Sequence, residues 1–457
     1  MTDDVARLAL AALATGLWLA LILVVVVGVR RARRAERARA EALAGDGGDA
    51  TLVAYASQTG LAEELAWMTA RALSEAGWPV RVISFADLDL DTLKASRRAV
   101  FVVSTTGEGD APDSASRVVR TLLGAATDLD GLSFGVLSLG DRTYRDYCGF
   151  GRAMEGWLRR SGALPLFDTV EVDDGDPAAI RHWQHQLNQL TGATTAPDWS
   201  PPSYDRWRMV ERRHLNPGSP GGGAFHIAFE PVDGDADWVA GDIAEIGVPM
   251  PDGGEVSREY SIASLPSDGR LELLVRLMRH PDGTPGLGSG RLALDLTVGD
   301  ELPLRVRTNS AFHAPGPPAP MILIGNGTGI AGLRAHLKSR TARSGGAWLL
   351  FGERTVAHDV FFDDDLQAAL WSGVLSRLDR AFSRDPDAEG RTGRYVQHLI
   401  DDHAVEIAAW VERGAAIYVC GSLDGMASGV HAALEQALGP DRLIELTETG
   451  RYRRDVY

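Results

Sequence analysis

The chain has 457 residues, 45% of them hydrophobic and 24% charged, enough for about three globular units with ordinary buried cores. Its formal charge of −16 works against nucleic acid as a partner. Only two cysteines occur, Cys148 and Cys420, in separate predicted units; this excludes a disulfide framework, and no CxxC, CxxCH or ligand-spaced histidine points to haem, iron–sulfur or zinc.

At the start of the chain, Leu8 to Val29 form an apolar run of about 22 residues, long enough to cross a bilayer once. Asp3 and Asp4 precede it, and Arg30, Arg31, Arg33, Arg34, Arg37 and Arg39 follow. The positive-inside rule then leaves the rest of the chain on the cytoplasmic side. A cleaved signal peptide fits poorly, because the basic cluster lies on the wrong side of the run. The expectation is a single-pass transmembrane anchor at 1–30 and a basic juxtamembrane spacer at 31–50.

Residues 51–190 alternate apolar strands (TLVAYAS, VRVISF, RAVFVVST, FGVLSLG, LFDTVEV) with helical stretches, the rhythm of a doubly wound parallel sheet. Three strand ends carry conspicuous loops. SQTGLAEEL at 57–65 sets hydroxyls and a glycine at a helix N-terminus, where free amides and the helix dipole hold a phosphate monoester. STTGEGDAP at 104–112 and LGDRTYRDYCG at 139–149 follow the third and fourth strands, as walls of a crevice at the carboxyl edge.

The segment TGATTAPDWSPPSYD at 191–205 is rich in Pro, Ser and Thr and reads as a semi-flexible tether. Strands of a short antiparallel barrel follow over 206–315. HLNPGSPGGGAF at 214–225 reads as a disordered-looking loop and is assigned no chemistry. In REYSIAS at 258–264, Arg258, Tyr260 and Ser261 supply a cation, a flat ring and a small hydroxyl within four residues. A flavin dinucleotide needs those three groups for its pyrophosphate, its ring and the N5 atom where a hydride lands. GLGS at 286–289 is a small-residue turn whose Gly286, Gly288 and Ser289 offer bare amides to a second phosphate.

Over 316–457 the strand MILI at 321–324 leads through GNGTGIA at 325–331 into a helix predicted over about 330–343, the strand–turn–helix context of a dinucleotide site. VLSRLDRAFS and AAIYVCGS read as further parallel strands.

With REYSIAS and GNGTGIA, the runs YVCGS at 418–422 and RYRRDVY at 451–457 make the region from about 205 to 457 resemble the ferredoxin-NADP reductase module of the diflavin reductases. That family holds the flavoprotein subunit of sulfite reductase and the microsomal NADPH-haemoprotein reductases. The three loops of 51–190 resemble the family's flavodoxin-like FMN domain. The resemblance implies that Ser57, Gln58, Thr59 and Gly60 hold the FMN phosphate. It implies that Thr105, Thr106 and Gly107 line one side of the ring and Gly140, Tyr144 and Tyr147 the other, with Asp173 near the last contact. It further implies that Ser261, Cys420 and Asp455 assist hydride transfer, and that Tyr457 covers the flavin face and swings aside for the nicotinamide. Gly327, Thr328 and Gly329 form the NADP turn, and Ser383, Arg384, Tyr395 and Gln397 fall where the family binds the 2′-phosphate of NADPH. Taken without the family, Cys420 reads as a small buried hydrophobe.

The sequence departs from the family pattern in several places. Leu61 stands where Asn is common, and Thr106 where animal reductases carry an aromatic ring. The usual lysine before the Tyr395 segment is replaced by Arg391 or Arg394. Asn326 and Gly332 replace two prolines of the glycine loop, a change expected to loosen it. The family's helical connecting insert has no room here. The implied path runs from NADPH to FAD to FMN to a one-electron acceptor, because a nicotinamide gives electrons in pairs and haem or iron takes them singly. A haemoprotein, a sulfite reductase hemoprotein and a ferric or siderophore chelate are the candidate acceptors, reached from a membrane anchor with the flavin domains cytoplasmic. A flavin-binding relay scaffold without nicotinamide turnover is the non-enzyme alternative.

Overall fold

The computed structural model describes residues 50–457, except 126, 194–198, 200–202, 251–254, 315–318, 387–389 and 391. Six apolar runs come first: β1 Thr51–Ala56, β2 Val80–Ser84, β3 Arg98–Ser104, β4 Ser133–Gly140, β5 Leu164–Pro165 and β6 Val170–Asp173. They form one parallel sheet in the order β2-β1-β3-β4-β5, with β6 also paired to β4. Strand β3 is apolar on both faces because helices cover both sides. Phe101 and Val103 share one layer with Met154 and Trp157, whereas Val100 and Val102 share the other with Leu65 and Trp183. The chain leaves β1 toward β2 and crosses back to β3, so the loops after β1 and β3 diverge and open a crevice. The expected strand LFDTVEV is interrupted: Phe167 turns in beneath Gly135 and meets Trp183 edge-on at 5.4 Å, and only Val170–Asp173 rejoins the ladder.

The next six strands are β7 Asp205–His214, β8 Ala224–Pro231, β9 Ile243–Pro249, β10 Glu255–Ser261, β11 Leu271–Arg276 and β12 Glu301–Arg307. They make an antiparallel sheet in the order β10-β9-β12-β7-β8-β11 around Trp207, Phe229, Ile246, Leu273 and Leu304. The loop between β7 and β8, expected to lack order, is pinned instead. Asn216 Nδ2 donates to Gly222 O (3.2 Å) and Asp359 Oδ1 (3.0 Å), and Ser219 Oγ donates to Asp359 Oδ2 (3.0 Å). Asp359 belongs to the third unit, so this loop stitches two units together.

The third unit is again parallel: β13 Met321–Asn326, β14 Ala347–Glu353, β15 Leu375–Phe382, β16 Ala416–Gly421 and β17 Tyr452–Val456, in the order β15-β14-β13-β16-β17. The strand order reverses between β13 and β16, which places a ligand crevice at their carboxyl ends. The helix after β13 spans Ile330–Lys338, shorter than expected, because Arg340 folds back onto the carbonyls of Ala319 (2.7 Å) and Gly346 (3.0 Å). Arg334 from that helix joins the second unit, donating to Ala263 O (2.8 Å) and pairing with Glu272.

The tether is held at both ends. Trp199 donates its amide to Gln184 Oε1 (2.7 Å) and packs on the first unit, whereas Tyr204 donates its hydroxyl to Glu245 and lies under Arg305. The first unit also docks directly on the other two. Glu64 pairs with Arg305 (2.8 Å), Ser310 donates to Glu63, Asp113 pairs with Arg454, and Arg120 pairs with Glu448.

The expected single-pass membrane location with cytoplasmic flavin domains is corrected. Among the described residues no helix is long and apolar enough to cross a membrane. The run Leu8–Val29 and the arginine-rich spacer lie outside the described residues, so no observation supports an anchor.

Candidate flavin and nicotinamide sites

The crevice of the first sheet is built from the loops after β1, β3 and β4. After β1, Ser57 Oγ accepts the Gly60 amide (2.9 Å), and Gly60, at φ +91°, starts the helix Leu61–Glu75 in a conformation that disfavours any side chain. After β3, Thr106 and Asp110 exchange both backbone hydrogen bonds at 2.8 Å each, closing a tight loop through Gly107 and Gly109, both at positive φ. Thr105 Oγ1 is buried in this wall without a partner. After β4, a Cβ at Gly140 would lie 2.8 Å from the Cys148 amide and 3.1 Å from the Tyr147 ring, so the wall closes only on glycine. Tyr144 is half-buried in the same loop. Burial pushes the Tyr147 hydroxyl up to about 12. Asp173 is used locally: its Oδ1 accepts the Arg142 amide (2.9 Å) and steadies the loop that carries Tyr144 and Tyr147.

On the second sheet, the GLGS turn sits on β10. A Cβ at Gly288 would lie 2.8 Å from both Arg258 Cγ and Tyr260 Oη, which brings Gly288 together with the two groups expected to hold a dinucleotide. Arg258 is exposed. Burial pushes the Tyr260 hydroxyl up to about 12, although Arg258 pulls against it. Ser289 is used locally, accepting the Met278 amide (3.1 Å) and donating to Gly286 O (3.4 Å).

Three strand ends converge beside it. Ser261 at the end of β10 donates to Asp455 Oδ2 of β17 (2.7 Å), and Cys420 of β16, opposite Asp455 in the parallel ladder, lies with its Sγ 3.7 Å from the same oxygen. All three came from sequence positions far apart, and the two sheets bring them to one carboxylate. Burial raises the Asp455 carboxyl above its ordinary range, while the Ser261 and Cys420 hydrogen bonds work the other way. Burial also pushes the Cys420 thiol up, so it stays protonated. Tyr457 arches over the group: its amide donates to Gly421 O (3.1 Å), its hydroxyl meets Thr328 Oγ1 (3.3 Å), and 54% of it is exposed.

The GNGTG turn closes against β16. A Cβ at Gly329 would fall 2.0 Å from Cys420 O, so only glycine allows this approach, and Gly327 takes φ +55°. The turn is tighter than its missing prolines suggest, because Asn326 Oδ1 accepts the Ser422 amide (3.0 Å) and ties the loop to the YVCGS segment. A Cβ at Gly332 would meet Cys420 Sγ, Phe312 and Ser261 only at ordinary contact distances of 3.4–3.5 Å.

Two family models match the chain: Flavodoxin over residues 53–183 and Oxidoreductase NAD-binding domain over residues 323–432. Curated relatives include proteins described as "Sulfite reductase [NADPH] flavoprotein alpha-component". That of Bacillus subtilis is 27% identical, covering 89% of this chain and 89% of its own. One from Vibrio cholerae is 27% identical over 89% and 87%, and that of Aliivibrio fischeri 26% identical over 89% of each. Along most of its length the chain is similar to the diflavin reductases. It is an NADPH-dependent oxidoreductase that uses FMN and FAD. The Bacillus subtilis alignment runs over 540 residues against 457 in this reductase, in keeping with a missing connecting insert.

The reductase's crevices suit these cofactors: a buried unpartnered Thr105 hydroxyl waits in the first unit, and a glycine cradle under Arg258 and Tyr260 in the second. The phosphate loop is less free than expected. Gln58 is turned out of the crevice, donating to Arg454 O (2.7 Å), and Gly60 faces Thr308 O, 2.2 Å from where its Cβ would be. At the 2′-phosphate position Ser383 is buried, Arg384 and Tyr395 are exposed, and Gln397 packs on Gly429. Arg394 pairs with Asp402 instead of facing the site, and Arg391 lies outside the described residues. Three residues escaped the sequence reading. Arg276 pairs with buried Glu353 beside Gly327, and Arg354 presses on Gly221 with Nη1 buried and unpartnered. Glu353 and Arg354 stand at the carboxyl end of β14, a position the crevice rule singles out.

Proposed function

We propose that this reductase is the electron-donating flavoprotein partner of a hemoprotein of the sulfite-reductase type. Support comes from the likeness to sulfite reductase flavoproteins along 89% of the chain and of the Bacillus subtilis relative. The single observation that carries the catalytic part is the meeting of Ser261, Cys420 and Asp455 at one carboxylate oxygen.

In this reading residues 51–190 form the FMN domain, 191–205 the linker, 206–315 an FAD-binding barrel made of the antiparallel sheet, and 316–457 the NADP domain. The flavins supply a hydride acceptor that releases electrons singly. Ser57, Thr59 and Gly60 present amides and hydroxyls to the FMN phosphate; Thr105, Thr106, Gly107, Gly140, Tyr144 and Tyr147 enclose its ring. Arg258, Tyr260 and the Gly286–Ser289 turn hold FAD. Gly327, Thr328 and Gly329 receive the NADPH pyrophosphate, with Ser383, Arg384, Tyr395 and Gln397 at the 2′-phosphate. Asp455 orients the Ser261 hydroxyl toward the reacting atoms, and the protonated Cys420 thiol fills the space behind it. Tyr457 shields the site until a nicotinamide displaces it.

Flavin release from the full chain is expected to yield equal FMN and FAD, both bleached anaerobically by NADPH in preference to NADH. Mixed with a sulfite-reducing hemoprotein and NADPH, the chain is expected to support sulfide formation. Rapid reduction of ferric chelates with no electron delivery to that hemoprotein would sink the acceptor assignment.

A further inference from the structure

Strand β17 lies at the edge of its sheet, with a backbone ladder to β16 alone. An edge strand relies on side-chain contacts for its exact placement on the open side. Its three consecutive polar residues reach two other units, with the middle one reaching the first unit and the outer two the second. Arg453 donates to Ser310 O and Ala311 O (2.8 Å each) on the segment following β12, and Asp455 takes the Ser261 hydroxyl at the hydride site. Between them, Arg454 is committed to the FMN unit. Its guanidinium grips the Asp113 carboxylate, with Nε to Oδ2 at 3.1 Å, and its carbonyl accepts the Gln58 side-chain amide at 2.7 Å. Gln58 Oε1 in turn accepts the Asp113 amide at 3.4 Å, so Gln58, Asp113 and Arg454 close a ring of contacts. The pair is shielded: the Arg454 and Asp113 side chains are 28% and 16% exposed.

We propose that Arg454 is a positioning residue that makes the hydride site complete only when the FMN unit is docked, because Asp113 and Gln58 hold the strand on which Asp455 meets Ser261. This rests on the reading of Ser261, Cys420 and Asp455 as the hydride site. The consequence is a gate on electron input. With the FMN unit docked, the residue beside Asp455 is clamped at both its backbone and its side chain. With the unit swung away to an acceptor, β17 loses the Asp113 and Gln58 contacts and is left with its β16 ladder, the buried Tyr452 ring and the Arg453 and Asp455 contacts, and NADPH oxidation slows until the unit returns.

The test uses the full chain with Asp113→Asn, which keeps shape and removes charge, and Asp113→Glu, which restores it. In flavin-free protein, amide hydrogen exchange over Tyr452–Val456 is expected to rise several-fold in Asp113→Asn, with β13 unchanged and Asp113→Glu close to wild type. In flavin-loaded protein, anaerobic stopped-flow bleaching of FAD by NADPH is expected to slow on the order of fivefold in Asp113→Asn, a coupling at the low end of the usual range. Unchanged exchange and unchanged FAD bleaching, with only the later reduction of FMN slowed, would overturn the proposal and leave Asp113 a docking residue. An Asp455→Asn chain measured in parallel keeps the two readings apart: undiminished FAD bleaching there would remove the hydride-site reading itself.

Discussion

At Asp455, burial works against ionisation. Burial raises its carboxyl above the ordinary value of 3.8, so the folded chain holds that proton more tightly than the unfolded chain does. Stability from this group is therefore full below the ordinary value and is lost as pH rises through the raised one. Asparagine has nothing to ionise. Asp455→Asn is expected to raise the melting temperature at about pH 7, with the gain vanishing near about pH 4, while hydride transfer from NADPH falls. Melting curves across pH, run beside stopped-flow kinetics, check both signs. Ser261→Ala removes a hydrogen bond to a buried carboxylate, worth about 1.5 kcal/mol or more. If the hydroxyl acts in the transition state, FAD reduction slows by at least about tenfold. Tyr457→Ala should cost little stability, since the side chain is half exposed and its hydroxyl makes one long contact. Its expected effect is a shift toward NADH use, measured as the ratio of kcat/KM values; no change in any reduction rate would favour the relay-scaffold alternative. These candidate residues could be singled out in the sequence because each lies in a short motif at a strand end. Arg454 lay in one of the same motifs, yet its partner Asp113 is 341 positions away, and no periodicity reports a contact between units.

Among the elements, the glycine loops divide sharply by what surrounds them. Gly329→Ala drives a methyl into Cys420 O and is expected to abolish NADPH-dependent bleaching, whereas Gly332→Ala meets only ordinary contacts and should keep near-wild-type rates. Isothermal titration with NADP⁺ separates the two. The sequence pattern found the strands because parallel sheets buried on both faces read as continuous apolar runs. It overran where a side chain overruled the pattern. Phe167 left the ladder to fill space beneath Gly135, and Arg340 ended a helix by capturing turn carbonyls. The loosened turn expected from the missing prolines failed for a similar reason, since Asn326 supplies a hydrogen bond that proline cannot accept or give. The glycine-rich stretch at 214–225 looked structureless because its order comes from Asp359, a residue in another unit.

For the whole molecule, docking rests on ion pairs: Asp113–Arg454, Glu64–Arg305 and Arg120–Glu448. Exposed parts of that seam are screened as the Debye length shrinks from about 10 Å at 0.1 M to about 3 Å at 1 M salt. Rising ionic strength is expected to enlarge the radius of gyration in solution scattering and to slow electron passage from FAD to FMN. Glu64→Gln should move both curves to lower salt. The linker decides how far such opening can go. Trp199 is seated on one unit and Tyr204 on another, five peptide steps apart in sequence, a length that spans at most about 17–18 Å when fully drawn out. On so short a leash the FMN unit pivots instead of roaming, and it stays near its own FAD at an effective concentration on the order of millimolar. An identical FMN unit added free in solution at micromolar levels should then be a poor competitor for those electrons, and an acceptor must come to the pivot.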